Sequence, residues 1–252
     1  MLTIPAIKKY YNQNRYDLMP CHSLNYSDRA AVIIEPRDQS ILRWTICNIM
    51  HYTHWPIIVY HSEKNSYLLE GLPIHKKIVI PADFNVNDYN QLLVSQGFWL
   101  SLPENVLIFQ TDSFMLRFGI ESFMKYDYIG APWSPLNMEI YSISTNIGNG
   151  GFSFRKRDKM IQIINEVPYE NNLAEDIYYA QGFQKMGGKL PPMRIHKKFS
   201  VEQIYNKKPL AVHAPWYAMN DEELDRTLNM RRAYDWLKCF RVLKTIPKTL
   251  NS

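Results

Sequence analysis

Polar side chains follow three apolar segments of the sequence, and these side chains are the first candidates for chemistry. In an open α/β sheet, ligands gather beyond the carboxyl ends of the strands. If the three segments are parallel strands, their polar ends can contribute to one ligand site; polar residues at strand ends are equally typical of ordinary loops. The residues are Glu35 and Arg37 after the first segment, Ser62 and Asn65 after the second, and Gln110, Thr111, Asp112 and Ser113 after the third.

Two further features concern metal binding. Asp112 directly follows an apolar segment, where a carboxylate can hold a divalent cation that neutralises a leaving diphosphate. A helix cap is the alternative for Asp112, because Ser113 opens a new segment. His213 ends the short apolar segment 210–213, and imidazole is a common ligand of transition metals such as Mn²⁺. A histidine after an apolar strand can also be purely structural.

A glycine cluster and a pair of carboxylates complete the candidates. Three of the ten glycines fall within residues 148–151. Glycine can adopt positive φ or let a ligand approach closely, so Gly150 and Gly151 are candidate ligand contacts, and the amide of Asn149 suits sugar hydroxyls. A plain tight turn explains the same residues. Glu175 and Asp176 precede a helical segment, where a carboxylate can act as a general base or simply cap the helix.

The order of apolar segments indicates how these residues are positioned. Strands alternate with helices in the first half, and this alternation predicts an α/β fold with a mixed, mostly parallel central sheet flanked by helices. We expect an arm over residues 1–28, one domain over 29–219 and a C-terminal amphipathic helix over 220–252 packed on the domain. The predicted strands are 30–34, 57–60, 78–80, 106–109, 152–155 and 210–213, and the predicted helices before residue 220 are 39–53, 88–100, 156–166 and 175–186.

Composition and the lack of certain motifs disfavour several classes of protein. The chain has 252 residues, of which 46% are hydrophobic and 21% charged, as expected for a soluble globular protein. A net charge of +5 without a basic-aromatic motif disfavours a nucleic-acid binder. The sequence has no GxxxxGK[ST], no GxGxxG after the first strand, no GxSxG and no HExxH, which disfavours P-loop, dinucleotide-binding, α/β-hydrolase and zinc-protease sites.

Cysteine spacing and hydropathy suggest the compartment. The three cysteines are widely spaced, so a disulfide framework and a structural zinc site are not expected. No apolar run approaches the roughly 18 residues of a membrane span, and the first residues have no apolar core of a signal peptide. We therefore expect a soluble, cytoplasmic protein without a transmembrane segment.

Several blocks of the sequence together resemble the DUF5672 family, a group related to glycosyltransferases of the GT-A type. The resemblance covers about residues 30–216, and its most specific parts are GAPW at 130–133 and GNGGFS at 148–153. The Asn- and Ile-rich composition also suggests an AT-rich genome, such as that of a giant DNA virus. The blocks are 32–37, 88–90, 97–99, 106–113, 126–133, 148–155, 175–176, 199–202 and 213–216.

The resemblance implies a single GT-A-like (Rossmann-like) domain that binds a nucleotide-sugar donor and a divalent metal, Mn²⁺ or Mg²⁺. The Asp-x-Asp motif of GT-A enzymes matches Gln110 to Asp112, so Asp112 corresponds to the metal-facing carboxylate and Gln110 replaces the first aspartate. His213 matches the C-terminal histidine that often completes the metal site. Asp176 matches the base of inverting members, with Glu175 beside it. The residues implied in donor or acceptor contacts are Glu35, Arg37, Ser62, Asn65, Gln110, Thr111, Asp112, Asn149, Gly150 and Gly151.

The expected function is a metal-assisted, inverting glycosyltransferase. It would move a sugar from a nucleotide-sugar donor, with UDP favoured because it is the commonest carrier, to a hydroxyl of a glycan, protein or small molecule. Two alternatives stay open: a non-catalytic nucleotide-sugar or glycan-binding module, which Gln110 in place of an aspartate favours, and a nucleotide-sugar hydrolase. The predicted C-terminal helix could also form a homodimer.

Overall fold

The computed structural model describes residues 27–170, 173–214 and 217–218. The predicted helix over 220–252 and nearly all of the predicted arm over 1–28 lie outside the described residues. None of the helices in the described part of the chain has the length and hydropathy needed to cross a membrane.

The described residues form nine strands, seven α-helices and two 3₁₀ helices. The strands are β1 (Arg29–Glu35), β2 (Ile57–His61), β3 (Lys76–Val79), β4 (Asn105–Phe109), β5 (Ser113–Met115), β6 (Tyr128–Ile129), β7 (Phe152–Lys156), β8 (Ser200–Val201) and β9 (Ala211–His213). The α-helices are α1 (Ile41–Thr53), α2 (Val86–Leu93), α3 (Gln96–Leu100), α4 (Pro135–Ile140), α5 (Arg157–Glu166), α6 (Glu175–Met186) and α7 (Met193–Phe199). The 3₁₀ helices are Glu63–Leu69 and Ile120–Phe123.

Six strands form the central sheet in the order β3-β2-β1-β4-β7-β6. The pairs β1–β2, β1–β4 and β2–β3 are parallel, whereas β7 is antiparallel to both of its neighbours. The expected mixed, mostly parallel sheet flanked by helices is confirmed. Because β1, β2 and β4 are parallel neighbours, their carboxyl ends meet at one edge.

The apolar run of β1 is continuous because both faces of the strand are covered. Val32 and Ile34 pack into a core with α2, α3, α5 and α6, whereas Ala31 and Ile33 pack into a second core with α1. Burial on both faces is what a central parallel strand requires, and it removes the alternation of polar and apolar residues. The sheet is therefore covered on both faces, and side chains at its carboxyl edge are held by a packed layer.

Three short strands form a second sheet in the order β5-β9-β8. The predicted strand over 210–213 is confirmed, but it belongs to this separate sheet. Antiparallel pairing of β5 with β9 sets Ser113 opposite His213. Since β5 begins one residue after Asp112, this pairing brings His213 to the carboxyl end of β4.

The predicted helix over 88–100 is wrong as a single element, because it is two helices. The backbone leaves helical geometry at Val94 and Ser95, and the Ser95 hydroxyl accepts a hydrogen bond from the backbone N–H of Phe98 at 3.3 Å. A serine in this position favours the start of a new helix. The break lets Trp99 become fully buried, with its indole N–H donating to the Leu93 carbonyl at 2.7 Å.

Candidate active site

The carboxyl ends of β1 and β4 are joined by a side-chain hydrogen bond. Thr111 Oγ1 donates to Glu35 Oε2 at 3.2 Å, and Glu35 is only 3% exposed. The Thr111 carbonyl in turn accepts a hydrogen bond from the Thr45 hydroxyl of α1 at 3.0 Å. Two of the three polar groups that follow the sheet strands are therefore in direct contact.

Glu35 holds Arg37 in place. Its Oε1 accepts from the Arg37 backbone N–H at 2.9 Å and from Nε at 2.7 Å, and its Oε2 accepts from Nη2 at 2.6 Å. The hydrogen bond with Glu35 raises the pKa of Arg37, and the charge of Asp112 adds to this effect. The Arg37 side chain stays 64% exposed, so its guanidinium can contact a ligand while the buried carboxylate fixes its direction.

Ser62 and Asn65 hold the loop after β1 in place through hydrogen bonds to its backbone carbonyls. The Ser62 hydroxyl donates to the Pro36 carbonyl at 2.6 Å, and Asn65 Nδ2 donates to the carbonyls of Glu35 at 2.7 Å and Arg37 at 2.9 Å. Both side chains are fully buried. In this geometry their polar atoms are occupied by the chain, and they position Arg37 and its neighbours.

Asp112 and His213 form a charged pair at the end of β4. The Oδ1 of Asp112 lies 3.3 Å from His213 Nε2, and the Oε1 of Gln110 lies 3.3 Å from the same nitrogen. Burial opposes both charges, yet the imidazolium of His213 lowers the pKa of Asp112, and Asp112 together with Glu202 raises the pKa of His213 to about 10. In the metal-free protein His213 therefore carries a proton at neutral pH, and a cation that binds Nε2 must displace it.

Glu202 lies on the other side of His213 and has no assigned role in the sequence-based prediction. Its Oε2 is 3.9 Å from His213 Nδ1, and neither of these two buried atoms has a hydrogen-bond partner among the residues described. Its Oε1 accepts from Asn149 Nδ2 at 3.3 Å. Glu202 thus connects the glycine cluster to His213. The family block at 199–202 included it, but sequence alone does not reveal its neighbour.

Gly150 and Gly151 are required because side chains approach their backbone closely. A Cβ on Gly151 would overlap the imidazole of His213, and a Cβ on Gly150 would overlap Glu175 and crowd Asp176. The turn is fixed from within, since the Gly151 N–H donates to Asn149 Oδ1 at 2.7 Å. Two consecutive residues therefore separate the Asp112–His213 pair from Asp176.

Asp176 lies in the first turn of α6 and faces the glycine cluster. Its Oδ2 accepts from the Gly150 N–H at 3.0 Å, and its Oδ1 accepts from the Ile177 N–H at 2.9 Å. Burial, followed by the negative charge of Glu175, raises the pKa of Asp176 to about 7. A carboxyl group with this pKa can both accept and release a proton near neutral pH.

Glu175 is bound to a buried arginine that sequence reasoning missed. Arg155 is fully buried, and its Nη1 and Nη2 donate to the two carboxylate oxygens of Glu175, the latter at 2.8 Å. The guanidinium carbon lies 4.8 Å from the ring centre of Tyr128 and 5.6 Å from that of Tyr179. With both oxygens occupied, Glu175 acts on Asp176 through its charge.

The donor set for a metal ion is small. No group of three or more His, Cys, Asp or Glu side chains placed to hold a metal occurs within the described part of the chain. Asp112 and His213 offer one carboxylate and one imidazole beside the Gln110 amide oxygen. Such a set fits a cation that takes its remaining ligands from water and substrate phosphates, as Mg²⁺ commonly does.

Comparison with known proteins identifies the family. The family model described as "Protein of unknown function (DUF5672)" matches residues 77–213. The chain belongs to the DUF5672 family. The matched residues include the glycine cluster, Asp112, Asp176 and His213, whereas the loops after β1 and β2 lie before the match. A search of curated proteins found no match.

Among solved structures, this DUF5672 protein is similar to a mannosyltransferase, PcManGT from Pyrobaculum calidifontis, in complex with GDP-Man and Mn²⁺. The TM-score is 0.44 at 12% sequence identity, over 74% of this chain and 62% of that chain. The chain thus spans less than two thirds of the length of that structure. The similarity assigns no role to any residue of this chain. Neither comparison supports a viral origin.

Proposed function

We propose that this DUF5672 protein is a glycosyltransferase that uses a nucleotide-sugar donor. The observation that carries the proposal is the arrangement around the glycine cluster. On one side lies Asp176, whose pKa of about 7 suits a general base. On the other side lies His213 beside Asp112, with the exposed guanidinium of Arg37 at the end of the neighbouring strand. The region from β1 to β9 would act as one catalytic domain.

The side that carries Arg37 and the Asp112–His213 pair would bind the donor diphosphate. Arg37 is directed by Glu35, and it offers several N–H donors that match phosphate oxygens. Asp112 and His213 would hold Mn²⁺ or Mg²⁺, with the Gln110 amide oxygen beside them. When bound, the ion would offset negative charge on the diphosphate as it leaves. Thr111, Ser62 and Asn65 would keep the two loops in the conformation that presents these groups.

Asp176 would act on the acceptor. Its carboxylate accepts the proton of an acceptor hydroxyl, the hydroxyl oxygen forms a bond to the anomeric carbon, and the bond from that carbon to the nucleoside diphosphate breaks. Attack from the face opposite the leaving group inverts the anomeric centre. Glu175 keeps the pKa of Asp176 high through its charge, and Arg155 fixes Glu175. Asn149, Gly150 and Gly151 would line the sugar.

Thermal unfolding with nucleotide sugars tests the donor and metal roles. UDP-sugars are the first donors to try and GDP-sugars the second, each with Mn²⁺ and with EDTA. A ligand at 100 times its Kd stabilises by about 2.7 kcal/mol, which corresponds to a shift of about 5–10 °C for a domain of this size. We expect a Mn²⁺-dependent shift that Asp112→Ala removes and the surface variant Asp158→Ala keeps. Equal shifts with Mn²⁺ and EDTA would contradict the metal role, and no shift with any nucleotide would contradict the donor class.

Turnover with Asp176→Asn separates catalysis from binding. The variant should keep the donor-induced shift and lose about 10²–10⁴ of the transfer rate, because general base catalysis contributes about that much. Unchanged turnover would remove Asp176 as the base. The acceptor, whether glycan, protein or small molecule, is identified by which one makes release of the nucleotide faster.

A non-catalytic binding module is the second candidate, and the substitution of Gln110 for an aspartate favours it. Such a module would show the donor shift without acceptor-dependent release of nucleotide. A nucleotide-sugar hydrolase would release the nucleotide at the same rate with and without acceptor. Sedimentation of the full chain would test the proposed homodimer.

A further inference from the structure

A concave surface lies away from the candidate active site. A cavity of about 540 Å³ is bounded by the 3₁₀ helix Ile120–Phe123, by α7 and by the segment that leads into β9. None of the candidate active-site residues lines it. Leu210 lines the cavity, whereas His213 is three residues further along the chain, about 10 Å away in an extended strand. The two sites therefore flank opposite ends of β9.

The charged side chains that line this cavity are of one sign. Four exposed cationic side chains line it, no Asp or Glu does, and within the described part of the chain none of the four has an ion-pair partner. Other cations of the protein are paired, for example Lys156 with Glu104 at 2.9 Å. We name this feature the basic cavity, and its cations are Arg117, Lys125, Lys198 and Lys208.

The floor of the basic cavity is apolar and partly aromatic. Phe123, Tyr126 and Leu210 are buried beneath it, and Phe118 at its border is 55% exposed. Lys125 Nζ already lies over the Tyr126 ring, 5.3 Å from its centre. Cations beside an apolar floor suit a ligand with an anionic group on an apolar or planar body, and the volume lies within the range of about 300–1,000 Å³ for small-molecule sites.

We propose that the basic cavity binds a small phosphorylated molecule. Its phosphate would contact Arg117, Lys198 and Lys208, and its apolar or planar part would rest on Phe123 and Tyr126. Phosphate suits this surface because several unpaired cations can contact its three or more oxygens with charge-assisted hydrogen bonds. Binding at the basic cavity does not depend on the proposed glycosyltransferase activity.

Isothermal titration of the full chain in EDTA tests the proposal with two probes, ADP and inorganic pyrophosphate. The test variant is Lys198→Glu with Lys208→Glu, and Lys198→Gln with Lys208→Gln replaces it if the melting temperature falls. The charge control is Lys76→Glu with Lys77→Glu on the edge strand β3, and Arg37→Ala reports binding at the active site. We expect the test variant to lose about tenfold or more in affinity, since the loss of one charge-assisted hydrogen bond has that effect.

Each outcome decides the proposal. Tighter binding of ADP than of pyrophosphate, lost in the test variant alone, supports a ring-bearing phosphate ligand. Equal binding of both probes, lost in the test variant alone, supports the phosphate group as the recognised element. Binding that survives in the test variant and disappears with Arg37→Ala belongs to the active site and overturns the proposal. Binding of neither ADP nor pyrophosphate also overturns the proposal. The same holds if vesicles of anionic lipid bind to the chain and the two probes do not.

Discussion

Replacement of Asp176 by asparagine should change the pH dependence of stability in a defined way. The pKa of this carboxyl group is raised from 3.8 to about 7 in the folded protein, first by burial and then by the charge of Glu175. Between these two values the folded state keeps the proton and the unfolded state releases it. The raised pKa therefore stabilises the folded wild-type protein fully below pH 3.8, and this stabilisation is lost as the pH rises through 7. The amide of the variant does not titrate, so the variant lacks this loss.

The magnitude follows from the two pKa values. One proton of difference changes the free energy of unfolding by about 1.4 kcal/mol per pH unit. Allowing for partial titration near the folded pKa, wild type should lose about 2 kcal/mol relative to Asp176→Asn between pH 5 and pH 7. The asparagine amide cannot accept from both Gly150 and Ile177 as the carboxylate does, but that cost is the same at each pH and cancels.

Urea unfolding of wild type and Asp176→Asn at pH 5, 6, 7 and 8 measures how the difference between their free energies of unfolding changes with pH. Asp158→Asn is the matched control, since its carboxylate is 71% exposed and is solvated in both states. We expect the stability of Asp176→Asn relative to wild type to rise from pH 5 to pH 7 and to level off above pH 7. The stability of Asp158→Asn relative to wild type should not change over the same range. A flat curve for Asp176→Asn would refute the assignment of a raised pKa and, with it, the reason for choosing this residue as the base.

Three further predictions follow from the contacts of the site. Arg155→Met should cost about 3–5 kcal/mol in urea unfolding because Glu175 is left buried and unpaired, and Arg155→Met with Glu175→Leu should recover most of that loss. Gly151→Ala should displace His213 and reduce Mn²⁺ affinity about tenfold or more, measured by electron paramagnetic resonance of free Mn²⁺. Glu202→Gln should weaken Mn²⁺ binding about tenfold or more with little change in melting temperature, because a buried negative charge 3.9 Å from His213 is lost.

The controls for these variants come from the same chain. Gly97→Ala lies in α3 with no atom within 4 Å of the added Cβ, so Mn²⁺ affinity should stay unchanged and stability should rise by up to about 1 kcal/mol. Arg157→Met removes a half-buried cation that pairs with Asp158 and donates to the Leu102 carbonyl, and it should cost about 1 kcal/mol. A loss for Arg157→Met as large as that for Arg155→Met would contradict the role of burial.

The first half of the fold could be predicted because its signals are local. Continuous apolar runs at β1, β2 and β4 mark strands that are buried on both faces, and the polar residues that follow them mark one edge of the sheet. The second sheet could not be predicted in this way. The sequence predicts its strand β9, but β5 and β8 are three and two residues long, too short for any period to be visible, and β5 pairs with β9 about 100 residues later.

Asp176, the candidate base, shows more clearly what could not be predicted from the sequence. Sequence reasoning could select Asp176 from its place at a helix start, but its pKa depends on Glu175, and Glu175 is held by Arg155, 20 residues earlier in the chain. The alternation in Phe152, Ser153 and Phe154 predicts a strand with two faces, and an arginine next in that pattern is typical of an exposed end. In the structure Phe154 packs into the core with α1, while Arg155 lies fully buried on the opposite face beneath Tyr128. A buried cation requires a buried anion, so Arg155 determines which of the two adjacent carboxylates is bound and which stays able to exchange a proton.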